Sequence, residues 1–291
     1  MFSATLLSNP DHPVVDRAVV EALRNAWGGA DARWLDPGCA AEFAVASVPE
    51  NRWQVWADLQ RQGIDLILQP ALGRRKRLLI ADMDSTMIQQ ECIDELADVA
   101  GVGAHVAAIT ARAMNGELDF DQALRDRVAL LAGLPEAVIT KVLADRITLM
   151  PGGRVLVATM RANGGYAALV SGGFTAFTAA IAARLGFDEH RANRLIVNDG
   201  SLTGAVAAPI LGRAAKVQAL EEISARLGIT PAEAIAVGDG ANDLGMLGRA
   251  GTGVALHAKP SVQADCDVRV NHGDLSALLY LQGYARDAFV M

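Results

Sequence analysis

The chain has 291 residues, 52% hydrophobic and 20% charged, with a formal net charge of −7. That is enough chain for about two globular domains, and the acidic balance disfavours a nucleic-acid or anionic-membrane partner. Cys39, Cys92 and Cys266 lie far apart with no C-x-x-C spacing, so reduced, buried thiols are expected. The start "MFSATLLSNPDHP" has neither the basic opening nor the apolar stretch of a secretory signal, and no apolar run approaches the ~20 residues of a membrane span. A cytoplasmic enzyme or regulator is the expectation.

In chain order, "SATLLS" suggests a strand, and "HPVVDRAVVEALRNA" carries Val14, Val15, Val19 and Leu23 at helical spacing. "ARWLD" and "AEFAVASV" form two strands around a "PGCA" turn. "NRWQVWADLQRQG" is a helix ending at Gly63, and "IDLILQP" a strand. This β-α-β-β-α-β order predicts a small open-faced α+β sandwich of the ferredoxin-like kind over residues 1–72. The basic "LGRRKR" that follows is expected to be a solvated linker.

From Leu78 the pattern becomes strand–helix alternation. "LLIAD", "YAALVSGG", "AIAVGDG" and "TGVAL" are apolar strands with helical segments between them. They predict an α/β unit over residues 73–291, with a Rossmann-like parallel sheet covered on both faces. Residues 92–149 show only helical periodicity and are too long for a crossover, so they are expected to form a helical cap inserted after the first strand. "RLIVNDGSLTG" predicts a hairpin at its Asn-Asp-Gly turn.

The strand ends carry the chemistry. The first ends at Asp82 and Asp84, the second at Ser171, Gly172 and Gly173, the third at Asp239, Asn242 and Asp243. Ligands of an open parallel sheet bind outside the carboxyl ends of its strands, so these residues should converge. So many carboxylates repel unless a cation sits among them, and oxygen ligands beside phosphate favour Mg2+. Hydroxyl and glycine donors near a helix start, together with Lys216, suit an anion. The set describes phosphoryl transfer.

"DMDST", "VSGG", Lys216 and "GDGANDLGM" resemble, in order, the four motifs of the haloacid-dehalogenase superfamily of phosphohydrolases. Within it the chain resembles phosphoserine phosphatases: Glu91 stands nine residues after Asp82, and Arg127 lies in "FDQALRDRVALL". Residues 1–70 resemble an ACT-like regulatory module, which leaves a role in homodimer formation open.

The resemblance implies a mechanism. Asp82 would attack phosphorus, and Asp84 would protonate the leaving oxygen and then activate water. Mg2+ would bind the Asp82 and Asp239 side chains and the Asp84 carbonyl, with Asp243 supporting it from behind or through water. Ser171, the Gly172 N–H and Lys216 would hold phosphoryl oxygens, and Asn242 would orient the phosphate. Glu91 would pair with a substrate ammonium and Arg127 with its carboxylate, while Met114 and Phe120 would close the pocket. The alternatives are a related phosphatase or phosphotransferase, using another small phosphorylated amino acid or an alcohol acceptor, and an amino-acid sensor. Neither nucleic acid nor membrane is an expected partner.

Overall fold

The computed structural model describes residues 1–114 and 117–291, the side chain of Met114 apart. The chain opens with β1 (Phe2–Ser8), α1 (Arg17–Ala26), β2 (Arg33–Asp36), β3 (Ala40–Val45), α2 (Arg52–Gln60) and β4 (Ile64–Pro70). The sheet order is β2-β3-β1-β4, and its pairs are antiparallel. α1 starts later than the apolar spacing suggests because the Asp16 carboxylate caps it, accepting the Val19 N–H at 2.8 Å.

The sheet is not open-faced. Along β1 and β4, Ala4, Leu6, Ile64 and Leu66 pack with Val20 and Leu23 of α1, while Leu7 and Ile67 join the cluster that holds Leu79 and Tyr280. A strand has two faces, and here both are covered, one by its own helices and one by the rest of the chain. The "LGRRKR" segment is likewise pinned rather than free. Arg74 donates to Ser3 Oγ at 2.6 Å and to Glu42 Oε2 at 2.7 Å, and the Arg75 guanidinium lies over the Tyr284 ring.

The second part begins with β5 (Leu78–Ala81), followed by α3 (Cys92–Val99), α4 (Gly103–Met114), α5 (Phe120–Ala129), α6 (Ala137–Asp145) and α7 (Gly153–Ala162). Next come β6 (Tyr166–Phe174), α8 (Thr175–Leu185), β7 (Glu189–Asn193), β8 (Leu195–Asn198), β9 (Ser201–Val206) and α9 (Arg213–Arg226). The chain ends with β10 (Ala234–Gly238), α10 (Leu244–Arg249), β11 (Thr252–Leu256), α11 (Pro260–Ala264), β12 (Val268–Val270) and α12 (Ala277–Leu281). Six strands form one parallel sheet in the order β12-β11-β10-β5-β6-β7. β5 is buried throughout, with Leu79 and Ala81 in one core cluster and Leu78 and Ile80 in the other, one on each face of the sheet. The chain moves outward from β5 to β7, then returns to place β10 on the other side of β5. The switch point is therefore the crevice between β5 and β10.

Helices α3–α6 cover that end of the sheet. The hairpin β8–β9 turns at Asp199 and Gly200, both with positive φ (49° and 73°), the requirement of a two-residue type I′ turn. The hairpin joins the cap. Gly133 N–H donates to Leu202 O, Leu202 N–H to Leu134 O, and Glu136 N–H to Gly200 O, each at 2.8 Å. The cap is thus built from two insertions.

Candidate active site

Asp82 follows β5 directly, and its N–H extends the ladder to Val237 O of β10 at 3.0 Å. Asp239 follows β10, and Asp243 immediately precedes α10. Carboxylate oxygens of Asp82, Asp239 and Asp243 lie within 4.8 Å of one another, and all three residues are buried. Lys216 of α9 is 0% exposed and reaches the same point: its Nζ is 2.6 Å from Asp82 Oδ1 and 2.6 Å from Asp243 Oδ1. Only the Asp243 contact has hydrogen-bond geometry, so Asp82 Oδ1 is a buried oxygen without a hydrogen-bond partner.

Both Asp243 oxygens are engaged by the chain, Oδ1 by Lys216 and Oδ2 by the Gly240 N–H at 3.1 Å. Asp243 therefore positions the lysine. Asp239 Oδ1 accepts from Thr86 Oγ1 at 3.2 Å.

One ammonium faces three carboxylates here. Burial, then the Asp243 charge, holds the Asp82 and Asp239 carboxyls above their usual range. Burial alone would lower the Lys216 pKa, but Asp82 and Asp243 outweigh it and keep the ammonium charged. The clustered buried carboxylates and the negative charge left over beside one ammonium fit a hard divalent cation bound by Asp82 and Asp239.

Asp84 turns toward the other neighbouring strand. Its Oδ1 accepts the Cys92 N–H at 2.9 Å, and its Oδ2 accepts from Ser171 Oγ at 3.1 Å. The Gly172 N–H does not stand at a helix start, as the sequence suggested. β6 stays extended through Ser171, Gly172 and Gly173 to Phe174, and α8 begins only at Thr175. The glycines are needed for closeness. A Cβ on Gly173 would lie 2.6 Å from Asp84 Oδ2, and one on Gly172 would lie 3.0 Å from Phe120 Cζ. Phe120, from α5 of the cap, thus covers the strand end. Asn242 is beside it, its Nδ2 3.9 Å from the same Gly172 position.

Glu91 precedes α3 and accepts from Ser85 Oγ at 2.7 Å. It is open to solvent at the mouth of the crevice, yet crowded by protein atoms. That desolvation, then the Asp84 charge, pushes its carboxyl up to about 7. Arg127 of α5 is half-buried and donates through Nε to Ala123 O at 3.1 Å. Burial lowers its pKa, while Asp94, Glu91 and Asp84 all act on it electrostatically; none is within ion-pair distance among the described residues. The Met114 side chain lies outside the described residues.

Sequence reasoning missed Asn193. It ends β7, is 2% exposed, donates through Nδ2 to Gly172 O at 2.8 Å and accepts the Leu211 N–H at 2.6 Å. One side chain so ties both roots of the hairpin to the Ser-Gly-Gly strand end. Its signal was an Asn placed just before the apolar hairpin strand, which also fits an ordinary turn residue.

A doubly wound parallel sheet with carboxylates and a lysine at its switch point, roofed by an inserted cap, defines a capped α/β fold of the hydrolase type. Residues 79–248 match the haloacid dehalogenase-like hydrolase family, and the chain belongs to that family. A phosphoserine phosphatase of Streptomyces coelicolor is 44% identical over 255 residues, covering 86% of this chain; the chain spans only 62% of that relative's length. A HAD family hydrolase from Salmonella enterica serovar Typhi superposes with a TM-score of 0.86 at 32% identity, covering 97% of this chain and 98% of that one. A substrate-bound phosphoserine phosphatase complex superposes with a TM-score of 0.66 at 41% identity, over 71% of this chain and 98% of that one.

Proposed function

We propose that the chain is a Mg2+-dependent phosphatase that hydrolyses O-phospho-L-serine to L-serine and phosphate, the step that releases serine. The observation that carries this reading is the pair Glu91 and Arg127. A carboxylate and a guanidinium, neither in an ion pair among the described residues, flank Asp84 at the crevice mouth. Phosphoserine presents an ammonium and a carboxylate beside its phosphate, so the two charges match it. The phosphoserine phosphatases among its relatives support the same substrate.

Asp82 is the nucleophile, placed at the end of β5 with its Oδ1 beside the Lys216 ammonium. It attacks phosphorus and becomes an aspartyl-phosphate. Asp84, held by Cys92 and Ser171, gives a proton to the departing serine oxygen and then takes one from the hydrolytic water. Lys216, Ser171, the Gly172 N–H and Asn242 hold the phosphoryl oxygens, and Asp243 keeps Lys216 in place. Asp82, Asp239 and the Asp84 carbonyl are the groups that would hold Mg2+, which when bound neutralises charge developing on the phosphoryl group. Phe120 stands over Gly172, where it would close the crevice against water.

The test is phosphate release from phosphoserine and phosphoethanolamine, with Mg2+ and with chelator, by the parent and Arg127→Ala. Phosphoethanolamine lacks the carboxylate, so it is expected to be a poor substrate in both. Phosphoserine should lose ~2 kcal/mol or more in kcat/KM in the variant, the scale for truncating one partner of a buried charge pair. Equal losses on both substrates would show that Arg127 does not read a carboxylate.

A further inference from the structure

Asp65 lies on β4, far in sequence from the catalytic motifs, and is 0% exposed. Its carboxylate is met by three successive backbone donors beyond β12. Oδ1 accepts the Asn271 N–H, and Oδ2 accepts the His272 and Gly273 N–H groups, all at 2.9 Å. Successive N–H groups converging this way form an anion-binding nest. Here the anion comes from the N-terminal sheet of the same chain. Gln60 of α2 completes the grip, donating to Asp65 Oδ1 at 3.1 Å and accepting from Asn271 Nδ2 at 2.8 Å.

The gripped loop in turn holds the segment from His257 to Lys259, by two routes. His257 donates through its N–H to Val270 O and through Nε2 to Gly273 O, both at 2.8 Å, with its backbone in the left-handed region at φ 46°. Separately, Asn271 Nδ2 donates to Gln263 Oε1 at 3.2 Å, and Gln263 Nε2 donates to Ala258 O at 2.7 Å. This segment ends on the acidic centre, because the Lys259 N–H donates to the Asp239 carbonyl at 3.3 Å. The Lys259 ammonium also acts electrostatically on the Asp239 carboxyl.

We infer that Asp65 is a positioning residue through which the N-terminal sheet sets the backbone of Asp239, and so the affinity of the acidic centre for its divalent cation. The inference rests on the Mg2+-dependent reading above. Physically, three successive backbone donors of the 271–273 loop all end on this one carboxylate. Replacing the carboxylate by an amide leaves one acceptor oxygen and a misplaced NH2 group for four donors, so the loop must move or leave buried N–H groups unpaired. A shift there reaches Asp239 by both routes.

The experiment measures Mg2+ binding to the full chain in two ways: the Mg2+ midpoint for phosphoserine hydrolysis and the rise in Tm on adding Mg2+ without substrate. Asp65→Asn and, on the second route alone, Gln263→Ala are compared with Glu42→Gln, which disturbs the N-terminal sheet on its Arg33 and Arg74 side, away from the loop. Both loop variants should raise the Mg2+ midpoint by ~3-fold or more and shrink the Mg2+-induced Tm rise, with Asp65→Asn the larger. Glu42→Gln should lower Tm without moving the Mg2+ midpoint. If the loop variants lower Tm but leave the Mg2+ midpoint where the parent has it, Asp65 is only a fastener and the inference is overturned. Should Asp65→Asn fail to fold, Gln263→Ala decides alone. A parent chain with no response to Mg2+ in either measurement overturns the Mg2+ reading and this inference together, and is told apart because the parent itself fails.

Discussion

At the residue scale, the two aspartates that end β5 do different work because they face different neighbours. Asp82 looks toward Lys216 and the carboxylates beyond β10, whereas Asp84 is bonded to Ser171 on β6 and to the Cys92 N–H. An acid whose side chain is placed between a hydroxyl and a backbone donor suits proton transfer to a leaving oxygen. Asp84→Asn should therefore lose ~10²–10⁴-fold in kcat with phosphoserine, whose alkoxide needs a proton, and much less with an aryl phosphate, whose leaving group is already stable. Equal losses on the two substrates would remove Asp84 from that role. The positions of these residues were legible in the sequence, because motif spacing on strand ends is a local signal. The role of Asp243 as the holder of Lys216 was not, since it depends on which two side chains α9 and the loop after β10 bring together. Asn193 escaped for the same reason: nothing local marks an Asn whose partners lie at Gly172 and Leu211.

At the element scale, the cap is the part that sequence periodicity described only in half. Helical spacing announced α3–α6, and Asn-Asp-Gly announced the β8–β9 hairpin, but their union rests on hydrogen bonds between segments far apart in the chain. β7 and β12 also went unrecognised as strands: one is polar and at a sheet edge, the other only three residues long. Gly204 is where the two insertions meet. It sits at φ 78°, and a Cβ there would lie 2.8 Å from Ala132 Cβ and 3.1 Å from Ala129 O, so a side chain meets both backbone strain and a wall. Gly204→Val should cost ~1–3 kcal/mol from backbone strain alone, lowering Tm. It should also raise KM for phosphoserine, because α5 carries Phe120 and Arg127 and loses its support. A variant with unchanged Tm and KM would show that the hairpin only lies beside the cap.

At the scale of the whole molecule, the N-terminal sheet is sandwiched rather than open, and the segment after it is an anchored strap. The β-α-β-β-α-β order was legible, but its second buried face was not, because alternation within a short strand cannot say what lies beyond the sheet. Glu42 marks this junction. Burial alone would raise its pKa, but Arg74 at 2.7 Å and Arg33 at 2.6 Å outweigh that and hold the carboxyl below its usual range. A carboxyl depressed by folding stabilises the native state above its unfolded pKa of ~4.3, and that contribution disappears as pH falls through the folded value. The Tm of the parent should therefore exceed that of Glu42→Gln near neutral pH, and the gap should close in acid. A gap independent of pH would mean that the ion pairs do not stabilise the junction. The catalytic account meets its most direct test at Asp82, whose carboxylate is the proposed nucleophile. The measurement is Mg2+-supported phosphate release from O-phospho-L-serine by the full chain and by a folded Asp82→Asn chain. Sustained release by the parent and none by the variant is the expected result, whereas substantial release by Asp82→Asn would contradict an aspartyl-phosphate at this site.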